Sequence, residues 1–281
     1  MTEAKILDGK AVSLALQKSI AEKIAARVAQ GHAAPGLAVV LVGDDEASKV
    51  YVNNKIKACE RTGIRSRAHF LPRQTSAKEL YALVDDLNND PEVHGILVQL
   101  PLPEHMDEAE VTNRIDPNKD VDGFHARNVG HLALRQPGLR PCTPRGVMTL
   151  LNHYQLDPKG KHCVVVGASN IVGRPLMLEL LYAGGTVTCC HRFTKDLAQH
   201  VGAADMLFVA VGKQGIVDAS WIKSGAVVID IGINRKPEGG ICGDIVFDVA
   251  SKLASSITPV PGGIGPMTVA TLMQNTYEAS L

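Results

Sequence analysis

Aromatic side chains are scarce, at 4% of 281 residues, and no stretch combines basic residues with stacking rings, so the usual platform for single-stranded nucleic acid is missing. Neither sign of charge is in excess, with 29 Lys and Arg against 29 Asp and Glu. Without a net field of the kind that recruits nucleic acid or an anionic membrane, a polyanion partner is not expected. The six cysteines (Cys59, Cys142, Cys163, Cys189, Cys190, Cys242) show no C-x-x-C spacing, which argues against zinc and against a disulfide framework. Inside apolar runs such as residues 162–166 they read as small buried hydrophobes of a reducing compartment. No metal site is expected. No apolar segment approaches membrane-spanning length, and the opening Met1-Thr-Glu-Ala-Lys-Ile-Leu-Asp-Gly-Lys10 carries acids and no long apolar run, unlike a signal peptide. The expectation is a cytoplasmic protein with neither a membrane nor a nucleic-acid partner.

What is present is α/β patterning on a length that suits two medium domains. Val12, Leu16, Ile20, Ile24 and Val28 recur at helical spacing and stop at Gly31. The period then changes: Leu37-Ala-Val-Val-Leu-Val42 is a continuous, β-branched run closed by Gly43, the pattern of a strand buried on both faces. Helices over 47–61 and 77–88 alternate with strands over 68–71 and 95–100, which predicts parallel pairing with helices on both faces. Residues 101–144 are rich in Pro, Gly and charge with little periodicity, so the lobe boundary falls at their end. Pro144 suits the first turn of a helix whose buried face is Val147-Met-Thr-Leu-Leu151. Strands over 163–166, 187–190, 207–211, 227–231 and 257–260 then repeat the alternation, and a helix over 267–279 ends the chain. The expected division is a first α/β lobe over 1–140, completed by 267–281, and a Rossmann-like parallel-sheet lobe over 141–266.

The strand Cys163-Val-Val-Val166 runs into Gly167-Ala-Ser-Asn-Ile-Val-Gly173 and an apolar helix. A strand feeding a glycine turn and a helix N-terminus aims backbone N–H groups and the positive end of the helix dipole at a pyrophosphate. The motif departs from G-x-G-x-x-G, because Ser169 stands at the second glycine, and a plain strand-to-helix turn is an equal reading of it alone. About twenty residues on, where an acid normally binds the ribose 2′-hydroxyl, the next strand ends in Cys190-His191-Arg192. A guanidinium there suits a 2′-phosphate, so NADP is expected over NAD; the alternative is an exposed loop charge. Gly212 and Gly232 close two further strands, where a flat cofactor could approach the backbone.

In the helix from Ala47, Ser48, Tyr51 and Lys55 share one face beside the apolar stripe of Val52, Ile56 and Cys59. A partly desolvated lysine can transfer protons near neutral pH; the bland alternative is a snorkelling lysine and a packed tyrosine. Gln99, followed by Leu100-Pro101, brings a side-chain amide to the carboxyl end of a strand. Lys119-Asp-Val-Asp-Gly-Phe124 sets two carboxylates around a turn, where one could accept a pair of N–H groups from an aminopyrimidine edge or simply be solvated. Pro259-Val-Pro-Gly-Gly-Ile-Gly-Pro-Met-Thr268 is a constrained loop entering a helix.

Taken together and in order, these motifs, with Pro141-Cys-Thr-Pro144, resemble the bacterial-type bifunctional methylenetetrahydrofolate dehydrogenase and methenyltetrahydrofolate cyclohydrolase family over nearly the whole chain. The resemblance implies two lobes with a cleft between them, a typical homodimer joined through its dinucleotide lobes, NADP as cofactor and tetrahydrofolate one-carbon derivatives as substrates. It makes Lys55 the main catalytic residue, held by Gln99, with Tyr51 stacking on the folate and Asp122 binding the pterin edge. Ser48, Leu100 and Pro101 would complete that site, with Pro261, Gly262, Gly263 and Thr268 bordering both ligands. Gly167, Ala168, Ser169, Ile171 and Val172 would contact the cofactor phosphates, His191 and Arg192 the 2′-phosphate, and Gly212, Ile231, Gly232 and Ile233 the nicotinamide and its ribose. Some relatives carry Arg where this chain has Ala168, which places the 2′-phosphate role on Arg192. The implied chemistry is hydride transfer from 5,10-methylenetetrahydrofolate, then water addition to the methenyl carbon to give 10-formyltetrahydrofolate. Two rival readings are an NADP-dependent dehydrogenase of a small hydroxy acid and a non-catalytic NADPH-binding module. Neither requires the Ser48, Tyr51, Lys55 face with Gln99 and Asp122.

Overall fold

The run Gly36–Val42 is a strand buried at every position, because it is the middle of a three-stranded parallel sheet ordered Arg65–Leu71, Gly36–Val42, Gly95–Val98. Its alternation is visible in what each side chain meets. Leu37, Val39 and Leu41 pack with Ile20, Ile24, Val52, Cys59, Leu272 and Met273. Ala38, Val40 and Val42 face Leu80, Val84, Leu87, Val111 and Ile115. A two-sided core is what a β-branched run without polar alternation requires.

The computed structural model describes residues 3–281, with the backbone alone for Ala47; the first two residues of the N-terminal stretch read above, Met1 and Thr2, lie outside the described residues. Residues cluster into two units, one of Leu14–Cys142 with Val269–Leu281, the other of Thr143–Thr268 with the residues preceding Leu14. The second unit is built on a six-stranded sheet in the order Lys5–Ile6, Ser256–Ile257, Val227–Asp230, Met206–Val209, His162–Val166, Thr186–Cys190, with every pairing parallel. One face carries Val164, Leu207, Val209 and Val228 against Val201, Ile222 and Ile245. The other carries Cys163, Val165, Phe208 and Ile229 against Val147, Leu150, Leu176 and Leu180. Phe208 is wholly buried, so its truncation to alanine costs about 3–5 kcal/mol.

Three local differences from the sequence reading have physical causes. Lys5–Ile6, read with the first lobe, is instead an edge strand beside Ser256–Ile257; two residues paired with a partner so distant in sequence leave no periodic trace. The segment 101–144 holds helices Glu108–Arg114 and Ala126–Ala133. Both are too short for periodicity, although the Asp107 carboxylate, accepting from the N–H groups of Ala109 and Glu110 at 2.7 and 3.1 Å, is a readable N-cap. The helix read from Pro144 begins at Cys142, and Pro144 still sits in the first turn, where its missing N–H has no intrahelical partner to lose.

Candidate active site

The helix Glu46–Thr62 starts at Asp45, whose carboxylate accepts from the Ser48 N–H at 2.7 Å. Val52 and Cys59 are buried in the core under the sheet, which fixes the rotation of the helix. Ser48 is therefore buried, Lys55 is half-buried and Tyr51 is 39% exposed on one face. Lys55 Nζ donates to Gln99 Oε1 at 3.0 Å. Gln99 follows the strand Gly95–Val98, where its N–H continues the ladder to Val40 O at 2.8 Å, and its Nε2 donates to Leu100 O at 2.6 Å. That second bond leaves the amide oxygen, not the nitrogen, for the lysine.

The two carboxylates of Lys119-Asp-Val-Asp122 do different work. Asp120 is buried and accepts from Gly123 N at 3.2 Å, His125 N at 2.8 Å and Asn128 Nδ2 at 2.9 Å. Burial pushes its carboxyl up, and these donors oppose the shift. Asp122 receives Cys142 N on its backbone carbonyl at 3.2 Å, while no hydrogen bond from the described residues reaches its half-buried carboxylate. Desolvation raises that carboxyl, the Lys55 charge draws it back and Asp120 adds to the rise. The backbone carrying Asp122 is pinned by the buried Asn275, whose Nδ2 donates to Val121 O at 2.7 Å and Arg140 O at 2.9 Å.

In the other unit, His162–Val166 lies between Thr186–Cys190 and Met206–Val209, so successive connections leave it in opposite directions. Such a switch point opens a crevice at the carboxyl ends of the strands. Gly167, at φ +121°, ends the strand there. A Cβ on Gly167 would strike Ala210 O, and one on Gly173 would strike Gly167 O, so the turn is closed to side chains as a phosphate cradle must be. Ser169 replaces the middle glycine with a function: its Oγ accepts from Val172 N at 3.2 Å and Gly173 N at 3.4 Å, at the start of the helix Gly173–Tyr182, where Val172 offers no side-chain cap. The hydroxyl proton is left to meet an anion. The residues present thus fit a dinucleotide. Past Thr186–Cys190, His191 Nδ1 accepts from Phe193 N at 3.2 Å, and the exposed Arg192 guanidinium lies 4.7 Å from the centre of the Phe193 ring. Ala168, Ile171, Gly212, Ile231, Gly232 and Ile233 stand at or just beyond the same strand ends, with Ile171 and Ile233 39% and 38% exposed.

Residues 7–122 match the sequence model described as the tetrahydrofolate dehydrogenase/cyclohydrolase catalytic domain, and residues 141–281 that of its NAD(P)-binding domain. The chain belongs to the tetrahydrofolate dehydrogenase/cyclohydrolase family. Its fold agrees with solved structures of that family. The bifunctional methylenetetrahydrofolate dehydrogenase/cyclohydrolase of Campylobacter jejuni is 48% identical, with a TM-score of 0.96 over 99% of this chain and 98% of that one. The enzyme of Trypanosoma brucei, solved with NADP cofactor and an inhibitor, is 39% identical, with a TM-score of 0.95 over 100% and 98%. A 5,10-methylenetetrahydrofolate dehydrogenase of the silkworm Bombyx mori is 38% identical, with a TM-score of 0.94 over 99% and 98%.

Within this member of the family, Ser48, Tyr51, Lys55, Gln99, Leu100, Pro101 and Asp122 belong to one unit and the cofactor candidates to the other. Pro261, Gly262, Gly263 and Thr268 fall in the dinucleotide unit, where Gly262 O accepts from Lys10 N at 2.9 Å and Thr268 Oγ1 lies 2.9 Å from Thr143 Oγ1. Reading by motif passed over Arg174, whose Nε donates to Ala168 O at 3.2 Å and which therefore lies along the glycine turn; a cation in the first turn of the helix that follows this turn was the available signal. It also passed over Asp230 and Asp244, both buried. The signal for Asp230 was an acid ending the otherwise apolar strand Val227–Asp230. Among the described residues no group of three or more His, Cys, Asp or Glu side chains is placed to hold a metal ion, and no helix is long and apolar enough to cross a membrane.

Proposed function

We propose that the chain oxidises 5,10-methylenetetrahydrofolate with NADP and hydrolyses the methenyl product to 10-formyltetrahydrofolate, with Leu14–Cys142 as the core of the folate-binding catalytic part and Thr143–Thr268 as that of the dinucleotide part. The observation that carries the catalytic assignment is the 3.0 Å bond from Lys55 Nζ to Gln99 Oε1, with the unpaired carboxylate of Asp122 near enough to feel the lysine's charge. Gln99 holds the amine in place, and Lys55, when its amine is unprotonated, takes the proton that the attacking water loses and keeps it for the folate nitrogen released when the ring opens. Asp122 accepts the paired N–H groups of the pterin edge. Tyr51, exposed on the same helix face, stacks on the folate ring system, and Ser48, Leu100 and Pro101 line the site.

Bound NADP supplies the hydride acceptor. Ser169 and the N-terminus of Gly173–Tyr182 hold its pyrophosphate, Arg192 with His191 its 2′-phosphate, and Gly212 with Ile231, Gly232 and Ile233 the nicotinamide side. Pro261, Gly262, Gly263 and Thr268 border the ligands. The family resemblance supports a homodimer. Balanced charge supports the lack of a nucleic-acid or membrane partner, and six cysteines that form no disulfide among the described residues support a reducing, cytoplasmic setting.

The test is spectrophotometric. Purified protein with methylenetetrahydrofolate should reduce NADP in preference to NAD, and Lys55→Met should lose cyclohydrolase turnover by at least about 100-fold while still binding folate. No folate-dependent reduction of either cofactor would sink the function, unchanged hydrolysis of methenyltetrahydrofolate by Lys55→Met would remove the lysine, and preference for NAD would remove the role of Arg192.

A further inference from the structure

The buried acids Asp230 and Asp244 take no part in the reactions above, yet they are tied to the strand ends assigned to the nicotinamide side. After Asn234–Arg235 the chain turns back through an antiparallel pairing with Ile241–Cys242. This return lays Gly243, Asp244 and Ile245 across the ends of Met206–Val209 and Val227–Asp230. Asp244 is wholly buried; its Oδ2 accepts from Val211 N at 2.7 Å and Gly212 N at 3.0 Å, and its Oδ1 from Asn234 Nδ2 at 2.9 Å. Asp230 reciprocates. Its Oδ1 accepts from Gly232 N at 3.1 Å and Asp244 N at 3.0 Å, and its Oδ2 from Ile245 N at 2.9 Å.

The two acids interlock through glycine. A Cβ on Gly232 would fall on the Asp244 carboxyl, and a Cβ on Gly243 would fall on that of Asp230. Among the described residues neither carboxylate has a cationic partner; backbone N–H groups and one amide are the donors. Burial pushes the Asp230 carboxyl up to about 6, the N–H groups of Ile245 and Asp244 oppose the rise and the Asp244 charge adds to it. Two acids buried side by side without a counter-cation are costly to a fold, and what they hold is the backbone of Val211, Gly212 and Gly232.

We propose that Asp230 and Asp244 are positioning residues for the cofactor, jointly holding Val211–Gly212 and Ile231–Ile233 in the one arrangement that receives its nicotinamide side. This rests on the assignment of Thr143–Thr268 as the NADP-binding unit. The pair acts through backbone it bonds, so its loss weakens cofactor binding and leaves a reaction that uses no nicotinamide untouched.

The two reactions separate the possibilities. In Asp244→Asn, which keeps one acceptor oxygen and puts an N–H₂ where the other was, the dissociation constant for NADPH, read by its fluorescence on binding, should rise at least about tenfold, as expected for one lost charged hydrogen bond. The KM for NADP should rise with it. Hydrolysis of supplied methenyltetrahydrofolate should stay within about twofold of wild type, since a charged bond's worth of free energy is not withdrawn from that step. Asn234→Ala, which removes the Asn234 donor from Asp244 together with its bond to Gly243 O at 3.0 Å, serves as the milder variant should Asp244→Asn fold poorly, and should weaken NADPH by a smaller factor in the same pattern. Amide exchange should quicken at Val211 and Gly212 but not at Val164 and Val165. Unchanged NADPH affinity in a folded Asp244→Asn or in Asn234→Ala overturns the proposal, as does a cyclohydrolase loss in step with the binding loss. A wild-type protein that binds NADPH but turns over no folate would sink the function instead, and the binding arm of this test would still decide the role of the pair.

Discussion

Asp120 and Asp122 in one unit, and Asp230 and Asp244 in the other, are two pairs of aspartates withdrawn from water, and their donors differ. Asp230 and Asp244 each accept three hydrogen bonds from the protein. Asp120 does the same, but the Asp122 carboxylate takes none from the described residues, and the charge of Lys55 is what offsets its desolvation. A buried carboxylate filled with backbone donors is scaffolding, because its lone pairs have nothing left to offer. One held in place by its neighbours and left without donors is strained in favour of a ligand that brings them. Hydrogen bonds thus set the acid proposed to recognise substrate apart from three that shape backbone.

The largest effect that would sharpen this contrast is at Asp122. Asp122→Ala should raise the KM for folate substrates in both reactions by about 100-fold, the worth of a pair of hydrogen bonds to a charged group, while the melting temperature holds or rises because a half-buried, partly desolvated charge has gone. Kinetics and a thermal melt on the same preparation decide it; a fall in stability with unchanged KM would make Asp122 scaffolding like the others. The pH dependence has a definite sign. Its carboxyl is raised by desolvation and must be ionised to accept the N–H pair, so folate affinity should weaken as pH falls through that raised value.

Asp120→Asn should give the opposite profile. Three donors, from Gly123, His125 and Asn128, would meet an amide that brings N–H groups of its own, which costs stability by about 1–3 kcal/mol. The folate KM would move less than in Asp122→Ala, since the Asp122 carboxylate remains. Equal folate KM in the two variants would break the division between them.

Much of this could be read from the sequence where one residue type at one spacing carries the chemistry. The buried run Leu37-Ala-Val-Val-Leu-Val42 announces a central strand, and Ser48, Tyr51 and Lys55 share a face by helical arithmetic. What the sequence could not carry is which polar groups meet. Asp120 and Asp122 are equivalent in Lys-Asp-Val-Asp-Gly, and only the fold, which brings His125 and Asn128 back to Asp120, tells them apart. Ser169, a defect in a glycine fingerprint, proves to be the acceptor at the helix start. Asp244 lies in no motif that the sequence singles out, and its burial depends on a hairpin and on the absence of a side chain at Gly232. Burial and hydrogen bonding between distant segments leave no local period.

The smallest effect concerns how scaffolding acids respond to pH. Asp230 has its carboxyl at about 6 in the folded chain against an ordinary 3.8, so between those values the native state holds a proton that the unfolded chain has released. The stability associated with this group is full below the unfolded value, falls as pH rises through the interval and is lost above about 6. Relative to Asp230→Asn, which has no such proton, the unfolding free energy of the wild type should therefore decline between pH 4 and 6, by about 1 kcal/mol per pH unit at most, and run parallel above that. Urea titrations of both proteins across this range measure the difference. A difference that grows with pH instead would mean that the N–H groups of Gly232, Asp244 and Ile245 stabilise the Asp230 anion by more than burial penalises it. A fully supplied carboxylate would then be no reserve of strain at all, and the contrast with Asp122 would be sharper still.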